Sequence, residues 1–369
     1  MVIDKMDYFS FALPATILLI LGLSFPLARH KKVSDVYLLR RVRLYLFNKG
    51  YIGLLFILIG ILCSVIVPFL GESIKAIVYF FSQLTFVGAI YLIHSNIKSK
   101  KLVLIFIFSL LMIQVVLTGM YGELIFWSLL GTIVLLVGNT KFSLIKRIAL
   151  VTAGMFTILL IQSVKHEYRD KVWRGAERGN DPGLLFQLVR DRISDPASIF
   201  DPERIYNITV RGNQGFLVAR AMDYVPKHEP FADGETIYNS ILSSIVPRIF
   251  WRDKPRVGGH ENICRFLGDC GKYNYSYNIG QLGEGYVNFG KTGGAIFMFF
   301  YGLFINWCFF TIKSMSLQHP TLILWIPLLF YSVLSLETDV LTFLNSFIKG
   351  CIFCWMCFIL FKYVFKIRI

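Results

Sequence analysis

Long apolar stretches recur along most of the chain and alternate with short polar connections. A helix needs about 20 apolar residues to cross a hydrocarbon core about 30 Å thick, and nine stretches reach or approach that length. Two of them, 124–137 and 321–336, are short. The pattern predicts an all-α, polytopic membrane bundle of about nine spans. These cover residues 8–28, 51–70, 76–94, 102–117, 124–137, 148–164, 293–312, 321–336 and 341–360.

One long polar segment interrupts this pattern. Residues 165–292 are rich in arginine, and they separate six predicted spans in 1–164 from three in 293–369. Within the segment, apolar positions recur at helical spacing after Asp181-Pro182, after Asp201-Pro202 and over 235–246. An acid before a proline is a typical helix start. We therefore predict a large loop whose short amphipathic helices lie at the membrane surface.

The composition agrees with a membrane protein. Hydrophobic residues make up 55% of the chain and charged residues only 17%, which is unusual for a soluble domain. The net charge of +15 does not indicate nucleic-acid binding, because residues 165–292 contain 18 basic and 16 acidic residues. No recognised nucleic-acid-binding module accompanies the charge. The excess lies in the short connections, where it suits anionic lipid headgroups.

The orientation in the membrane follows from the lysines and arginines of these connections. They crowd every second connection and the C-terminal tail, whereas the alternate connections share a single lysine. The positive-inside rule places the basic side in the cytoplasm. We therefore expect the N-terminus outside, the C-terminus inside and residues 165–292 in the periplasm of a bacterial inner membrane. The first span lacks a basic leading cluster and a small-residue cleavage site, so we interpret it as an anchor.

The seven cysteines divide between the two regions. Five lie in predicted spans, where compact apolar packing explains them. Cys264 and Cys270 are the pair within 165–292. On an oxidising side of the membrane they could close a short disulfide loop or remain free, and the sequence leaves both open.

One motif suggests nucleotide binding but stands in the wrong context. Residues 285–292 match the phosphate-loop pattern G-x4-G-K-T, which normally follows a strand and opens a soluble helix. Here the match leads directly into a predicted span. We interpret Gly280, Gly283, Gly285 and Gly290 as positions where the chain turns back to the bilayer. Metal-binding and hydrolase motifs are also missing from the sequence, so we expect chemistry without metal, nucleotide or other cofactor.

Cationic side chains are concentrated in the second half of the loop. The planar guanidinium group binds phosphate oxygens in pairs, which would suit a lipid-linked diphosphate. The alternative is an ordinary surface balanced by nearby acids, and composition does not separate the two interpretations. The cations are Arg211, Arg220, Arg248, Arg252, Lys254, Arg256 and Arg265.

Four segments of the loop resemble, in order, the outer-loop signature of the bacterial Wzy-type O-antigen polymerase family. They are 211–226, 231–236, 245–255 and 279–290, and the most specific blocks are P-R-x-x-W-x-x-K-P at 247–255 and G-E-x-Y-x-N-F-G at 283–290. The resemblance implies transfer of a glycan from undecaprenyl diphosphate onto a new lipid-linked repeat unit. Such a protein would build O-antigen or a related surface polysaccharide at the periplasmic face. Its implied partners are lipid-linked oligosaccharides, membrane lipid, a chain-length regulator and a flippase.

The resemblance also implies roles for individual residues. Without a metal, fixed cations must stabilise the charge that builds on the departing diphosphate. A carboxylate must accept the proton of the attacking hydroxyl, a task worth about 10²–10⁴-fold in rate. Diphosphate binding is expected of Arg211, Arg248 and Arg256, with Arg220, Arg252 and Lys254 as second candidates. Catalysis is expected of Glu284, with Asp223 and His260 as alternates. Sugar contacts are expected of Tyr286 and Trp251.

Several alternatives stay open at this point. Glu284 could instead pair with a neighbouring arginine, and Tyr286 and Trp251 could be interfacial aromatics. Lys349 lies inside the ninth span, where an ionisable residue is a functional candidate. A pairing with Glu337 or Asp339, a position in an aqueous cavity or a contact with the substrate tail would explain it. Many members of the resembled family have two sizeable outer loops, whereas this chain has one.

Two other functions also remain possible. An O-antigen ligase would transfer the glycan to the lipid A core instead of to a repeat unit. A lipid-linked oligosaccharide flippase would move the substrate without bond chemistry. A flippase is expected to have charged residues distributed among its spans and paired broken helices.

Overall fold

The computed structural model describes the chain with gaps. The continuous parts are 2–27, 34–118, 215–246, 250–270, 278–333 and 338–364. Single positions are 126, 213, 248, 366 and 367, and between 143 and 206 the described positions are 143, 145, 148, 149, 152, 154, 156, 160, 163, 164, 167, 168, 171, 182–195, 197, 198, 201, 202, 205 and 206. Every regular element in these residues is helical, so the all-α prediction is confirmed.

The α-helices begin and end as follows. They are α1 Lys5–Ser24, α2 Asp35–Leu46, α3 Gly50–Ile66, α4 Glu72–Ser82, α5 Leu84–Ile93, α6 Lys100–Thr118, α7 Pro182–Ser194, α8 Gly215–Tyr224, α9 Glu235–Ile245, α10 His260–Leu267, α11 Gly280–Met315, α12 Ile326–Leu329 and α13 Val340–Tyr363. Short 3₁₀ helices cover Val67–Phe69, Pro320–Trp325 and Tyr331–Val333.

Four helices in the described part of the chain are long and apolar enough to cross a membrane. They are Lys5–Ser24, Gly50–Phe69, Gly280–Met315 and Val340–Tyr363, and they cover the first, second, seventh and ninth predicted spans. The fourth predicted span lies within α6. The fifth predicted span, except position 126, and much of the sixth lie outside the described residues.

The third and eighth predicted spans are not single α-helices. Helices α4 and α5 divide the third at Gln83. The described part of the eighth consists of two 3₁₀ helices and the short α12. Pro320 and Pro327 lie in this stretch, and because proline has no backbone N–H it cannot complete an α-helical hydrogen-bond ladder.

The chain forms two compact units. One unit consists of Leu39–Gly212, and in it α3 packs against α4 and α5, while α6 packs against α5 and α7. Gly53 and Gly88 allow a close approach of α3 and α5, because a Cβ on Gly88 would lie 2.6 Å from the Gly53 carbonyl oxygen. The Phe56 and Tyr91 rings pack across the same interface, with centroids 5.2 Å apart.

The other unit joins Met1–Leu38 with Asn213–Ile369. Its longest contact runs along α1 and α11. The Asn306 amide donates to the Phe25 carbonyl at 2.8 Å and to the Gly22 carbonyl at 3.3 Å, which fixes one end of this pair. Near the other end, Lys291 forms an ion pair with Asp7. Helices α8, α9 and α13 of the same unit contact α11.

Helix α11 changes direction at Gly290. This residue has φ 67° and ψ −165°, a backbone conformation that essentially only glycine adopts. The helical segments on either side are 280–289 and 291–315. Gly283 and Gly285 lie inside the first segment, so the expected turn over the whole glycine-rich stretch is wrong, and only Gly280 and Gly290 have a left-handed φ there.

Most predicted loop helices that fall on described residues are present. Helix α7 starts at the predicted Pro182, and α9 matches the predicted 235–246 to within one residue. Helix α8 covers the end of the pattern predicted after Asp201-Pro202. Helix α10 was not predicted, although its apolar residues Ile263, Phe266 and Leu267 are buried at helical spacing.

Candidate functional site

A polar cavity of about 170 Å³ lies between α9, α10 and the start of α13. All of its lining residues belong to the unit that contains α11. Arginines, carboxylates, amides and hydroxyls dominate the lining, so the cavity offers both hydrogen-bond donors and acceptors. The lining residues are Glu235, Thr236, Asn239, Ser240, Pro255, Arg256, Gly259, Glu261, Asn262, Arg265, Asp339 and Leu341.

Helix α9 forms one wall of the polar cavity with a polar face. Glu235 and Asn239 are four residues apart, as are Thr236 and Ser240, so these side chains share one side of the helix. The Ser240 hydroxyl donates to the Thr236 carbonyl at 2.7 Å. The buried residues of α9 are serines 240, 243 and 244, and these small side chains allow the helix to lie close to α13.

Helix α10 forms a second wall, and Arg265 anchors it. The guanidinium group donates to Glu229 at 2.6 Å and to Glu235 at 3.0 Å. Burial alone would lower the pKa of Arg265, but the hydrogen bonds and charges of the two glutamates raise it above its ordinary value. A disulfide between Cys264 and Cys270 ties the end of α10 to the chain that follows it.

Glu284 lies directly behind the cavity lining. Its side chain is fully buried. One carboxylate oxygen accepts a hydrogen bond from the Thr236 hydroxyl at 3.1 Å, and the other accepts from the Val340 backbone N–H at 2.8 Å. Since Thr236 lines the cavity and Val340 starts α13, this carboxylate connects α9, α11 and α13.

Asp339 is a carboxylate of the cavity wall and adjoins Val340, the residue whose N–H donates to Glu284. It precedes α13, and its side chain accepts from the Thr342 N–H at 2.7 Å, as an N-cap residue does. The charge of Asp339 acts on Glu284. Asp339 is 1% exposed but lines the polar cavity, whereas Glu284 does not. The expected base is therefore one layer behind the surface that a substrate would contact.

Several buried polar atoms near Glu284 and Asp339 have no hydrogen-bond partner among the described residues. The Asn288 amide nitrogen donates to the Thr236 hydroxyl at 2.6 Å and to the Glu284 carbonyl at 2.8 Å. Its Oδ1 atom, the Tyr301 hydroxyl and the Thr342 hydroxyl are buried and have no hydrogen-bond partner among the described residues. The charges of both carboxylates act on Tyr301. Because buried polar groups are normally hydrogen-bonded, this region can hold water or a ligand.

The predicted diphosphate-binding cations do not gather at one point. Arg256 lines the polar cavity, and its backbone N–H donates to Glu261 at 3.3 Å. Arg220 belongs to α8, and its guanidinium group reaches the end of α10. There it donates to the Leu267 carbonyl at 3.4 Å and pairs with Asp269 at 3.8 Å. Arg252 is exposed in the loop after α9. Arg211 lies outside the described residues.

Arg248 and Lys254 form a separate group with Lys349 of α13. Lys254 donates to the Val246 carbonyl at 2.9 Å, and Arg248 contacts the Lys254 carbonyl at 3.5 Å. Burial, followed by the charges of Lys349 and Arg248, lowers the pKa of Lys254 below its ordinary value. We call Arg248, Lys254 and Lys349 the basic cluster. It lies beyond the C-terminal end of α9, whereas the polar cavity lies along the first half of that helix.

The remaining predicted residues do not line the polar cavity. Asp223 forms an ion pair with Lys227 at 2.6 Å, and His260 is exposed at the start of α10. Trp251 is partly exposed in the loop after α9. Tyr286 is buried, with its hydroxyl donating to the Val225 carbonyl at 3.2 Å and its ring 5.2 Å from Phe11. It packs against α1 and the chain that follows α8.

Four lining residues were not predicted as site residues from the sequence: Thr236, Asn239, Asn262 and Asp339. Of the two arginines in the lining, Arg256 was predicted to bind diphosphate and Arg265 was not. The available signal for Asp339 was its position before the apolar run of α13, which is typical of a helix cap. The described residues include no ion pair between Asp339 and Lys349, and Glu337 lies outside the described residues. Within the same residues, no three His, Cys, Asp or Glu side chains come together as metal ligands.

Comparison with known proteins identifies a family without a described activity. No curated protein and no solved structure matches the chain. A family model described as a domain of unknown function, DUF8712, matches residues 36–317. The match includes α9, α10 and Glu284 and ends before Asp339. Because it covers more than half of the sequence, the chain belongs to the DUF8712 family.

Proposed function

We propose that the protein is a glycosyltransferase that polymerises undecaprenyl-diphosphate-linked oligosaccharide repeat units into O-antigen or a related surface polysaccharide. The observation that carries the proposal is the polar cavity at the start of α13, with a carboxylate in its wall and the basic cluster at the far end of α9. Together they supply what glycosyl transfer from a lipid diphosphate requires. Sugars need hydroxyl-binding groups, the acceptor needs a base, and the leaving group needs cations.

In this proposal the acceptor saccharide binds in the polar cavity. Asn239, Asn262 and Ser240 offer amide and hydroxyl groups that match sugar hydroxyls. The acceptor oxygen forms the new bond to the anomeric carbon of the donor glycan. The bond from that carbon to the diphosphate oxygen breaks, and its electron pair leaves with the diphosphate. Asp339 accepts the proton of the attacking hydroxyl.

Glu284 then has a positioning role. It accepts hydrogen bonds from Thr236, which lines the cavity, and from the N–H group of Val340 beside Asp339, so it fixes Thr236 relative to the start of α13. We therefore assign the catalytic role to Asp339, which lines the cavity, instead of to Glu284, which the sequence favoured. Arg256 remains a candidate for contact with the donor.

The proposed location is a bacterial inner membrane, with nine spans, the N-terminus and residues 165–292 outside and the C-terminus in the cytoplasm. The disulfide between Cys264 and Cys270 supports an outside location, since disulfides persist mainly in oxidising compartments. A flippase would deliver the substrate, and a chain-length regulator would limit the product. The donor diphosphate bond supplies the energy, so neither nucleotide nor metal is required.

The decisive experiment uses purified protein, a synthetic polyprenyl-diphosphate repeat unit and a chelator. Products of two or more repeats are expected from the wild type. Asp339→Asn should reduce the rate about 10²–10⁴-fold, the range typical of a lost general base. Asp191→Asn, an exposed acid of α7, is the matched control and should retain the rate.

Other outcomes would reject the proposal. Transfer only to a lipid A core acceptor would identify a ligase, and lipid movement without a new glycosidic bond would identify a flippase. In cells that lack the protein, glycans one repeat long are expected. Full-length glycans unattached to the core would again indicate a ligase.

A further inference from the structure

Helix α9 carries large apolar side chains on its exposed side. Its buried residues are three serines, and the apolar residues on the opposite side recur at intervals of three and four, so they share one face. A helix that lies in water normally buries its apolar face and exposes its polar one. The exposed apolar residues are Tyr238, Ile241 and Ile245, with exposed fractions of 63%, 46% and 64%. The exposed side of α9 therefore suits an apolar environment.

The buried side of α9 suits close packing away from water. The hydroxyl groups of Ser240, Ser243 and Ser244 all donate to carbonyl oxygens of α9 itself, at 2.7, 3.2 and 2.7 Å. Polar groups in a membrane interior have to be satisfied within the protein in this way, and small residues allow membrane helices to approach each other closely. The neighbour of α9 is α13, which is apolar enough to cross a membrane. These are the features of a helix that packs against a membrane span.

The ion pair between Asp7 and Lys291 gives a reference level for the membrane. Both side chains are about half-exposed, and each stands at the start of a helical segment that belongs to an apolar, membrane-crossing helix, where a charge avoids the hydrocarbon. Segment 280–289 folds back below this level, because a Cβ on Gly285 would lie 3.1 Å from the Phe297 ring. Phe297 follows Lys291 by six residues, about 9 Å along the helix. The segment that carries Glu284 therefore lies at membrane depth.

Helix α9 begins beside segment 280–289 and runs along α13. The Thr236 hydroxyl donates to Glu284 at 3.1 Å and accepts from the Asn288 amide at 2.6 Å. Glu284 also accepts from the N–H of Val340, the first residue of α13. Because α13 extends in only one direction from Val340 and α9 packs against it, α9 runs in the same direction as α13. Its 11 residues cover about 16 Å.

The length of α13 sets the depth that α9 reaches. Its 24 residues cover about 36 Å, about 6 Å more than the hydrocarbon core of a bilayer. With all of this excess on the side where α9 begins, the far end of α9 still lies about 10 Å inside the core. There the Lys254 ammonium group donates to the Val246 carbonyl at 2.9 Å, which satisfies a backbone acceptor away from water. The chain then returns, since Arg256 and Gly259 line the polar cavity with Glu235 of the first turn.

We propose that α9 is a re-entrant helix, which dips into the membrane beside α13 and exposes its apolar side to lipid acyl chains. This position does not rest on the proposed function, and it differs from the membrane-surface position expected from the sequence. Lipid is the occupant because α13, which α9 contacts, is itself exposed to lipid as a membrane span, at Ile352 and Trp355 with fractions of 58% and 67%. Phe250, which is 82% exposed, adds apolar surface beyond the end of α9.

A depth profile tests the re-entrant position. Tyr238→Cys, Ile241→Cys and Ile245→Cys are made in the full chain after its five free cysteines are replaced by alanine. Each is spin-labelled in vesicles of phosphatidylethanolamine and phosphatidylglycerol, and collisions with oxygen are compared with those of a water-soluble nickel complex. The ratio of oxygen to nickel collisions should rise from 238 to 245, since these positions are about 10 Å apart along the helix. Val257→Cys is the matched control, because Val257 is apolar and 51% exposed but lies where the chain has returned, and nickel should dominate there.

Two results of the depth profile would overturn the re-entrant position. Equal ratios at the three positions would show a helix that lies flat on the membrane surface, and nickel collisions dominating at all three would show a helix in water. A second measurement needs no substitution. The wild-type chain in the same vesicles, with a phospholipid that carries a diazirine in the middle of its acyl chain, should be photolabelled on both α9 and α13. Labelling of α13 without any labelling of α9 would also refute the proposal.

Discussion

At the scale of single residues, burial decides what the carboxylates can do. Glu284 and Asp339 are both almost inaccessible, yet their surroundings differ. Glu284 accepts two hydrogen bonds from groups in α9 and α13, while Asp339 caps α13 and faces the polar cavity. A carboxylate enclosed on all sides organises its neighbours, and one at a cavity wall can exchange a proton with a ligand.

Replacing Glu284 by alanine should destabilise the protein. The Thr236 hydroxyl and the Val340 N–H would lose their acceptor, and each buried unsatisfied group costs about 1–3 kcal/mol. Glu284→Gln should cost less, because its amide oxygen can still accept one of the two hydrogen bonds. The unfolding temperature of the purified protein in detergent measures the effect, with Asp191→Ala as the surface control. An unchanged midpoint in Glu284→Ala would contradict this role.

A second residue-scale prediction concerns Lys254. Because burial and the charges of Lys349 and Arg248 lower its pKa, its ammonium form is lost at a lower pH than in an ordinary lysine. An anion binds the charged form, so binding of undecaprenyl diphosphate should weaken as pH rises toward the alkaline range. Lys254→Arg should bind at alkaline pH more strongly than the wild type, since arginine stays charged. Identical pH profiles for the two proteins would refute the prediction.

At the scale of helices, the hydrophobic pattern predicted most elements but not their interruptions. Continuous apolar runs gave the positions of α1, α3, α6 and α13, because a membrane span depends on length and apolarity alone. The eighth predicted span is broken at prolines. The glycine-rich start of α11 is helical because its neighbours α8 and α1 pack against it, and tertiary packing overrides the weak local propensity of glycine.

Gly290 offers a test of the direction change in α11. A Cβ at this position would lie 3.5 Å from Phe231, an ordinary contact, so space is available. The backbone conformation is the obstacle, and forcing alanine into it costs about 1–3 kcal/mol. Gly290→Ala should lower the unfolding temperature and displace 280–289, which carries Glu284.

Gly71 supplies the control for Gly290, since it has φ −66° and an added Cβ would meet nothing within 4 Å. Gly71→Ala should therefore leave the unfolding temperature nearly unchanged. Equal effects of the two substitutions would contradict a strain specific to the backbone of Gly290.

At the scale of the whole molecule, the candidate site depends on contacts that no local pattern contains. Thr236 and Val340 meet Glu284 from 48 and 56 residues away, and Asn306 holds the end of α1 across 284 residues. The sequence predicted which segment carries polar and cationic residues. It did not predict that α9 lies along α13, and this arrangement separates the polar cavity from the basic cluster.

The orientation of the molecule can be tested through its cysteines. Five of the seven are free, and Cys264 and Cys270 form a disulfide in the part that we propose to face the periplasm. After denaturation without reductant, a large maleimide reagent should modify five cysteines of protein isolated from cells, and seven after reduction. Cys264→Ser should give six modifications in both conditions, since Cys270 loses its partner. Seven modifications without reductant would place residues 165–292 in a reducing compartment, and periplasmic glycosyl transfer would then be untenable.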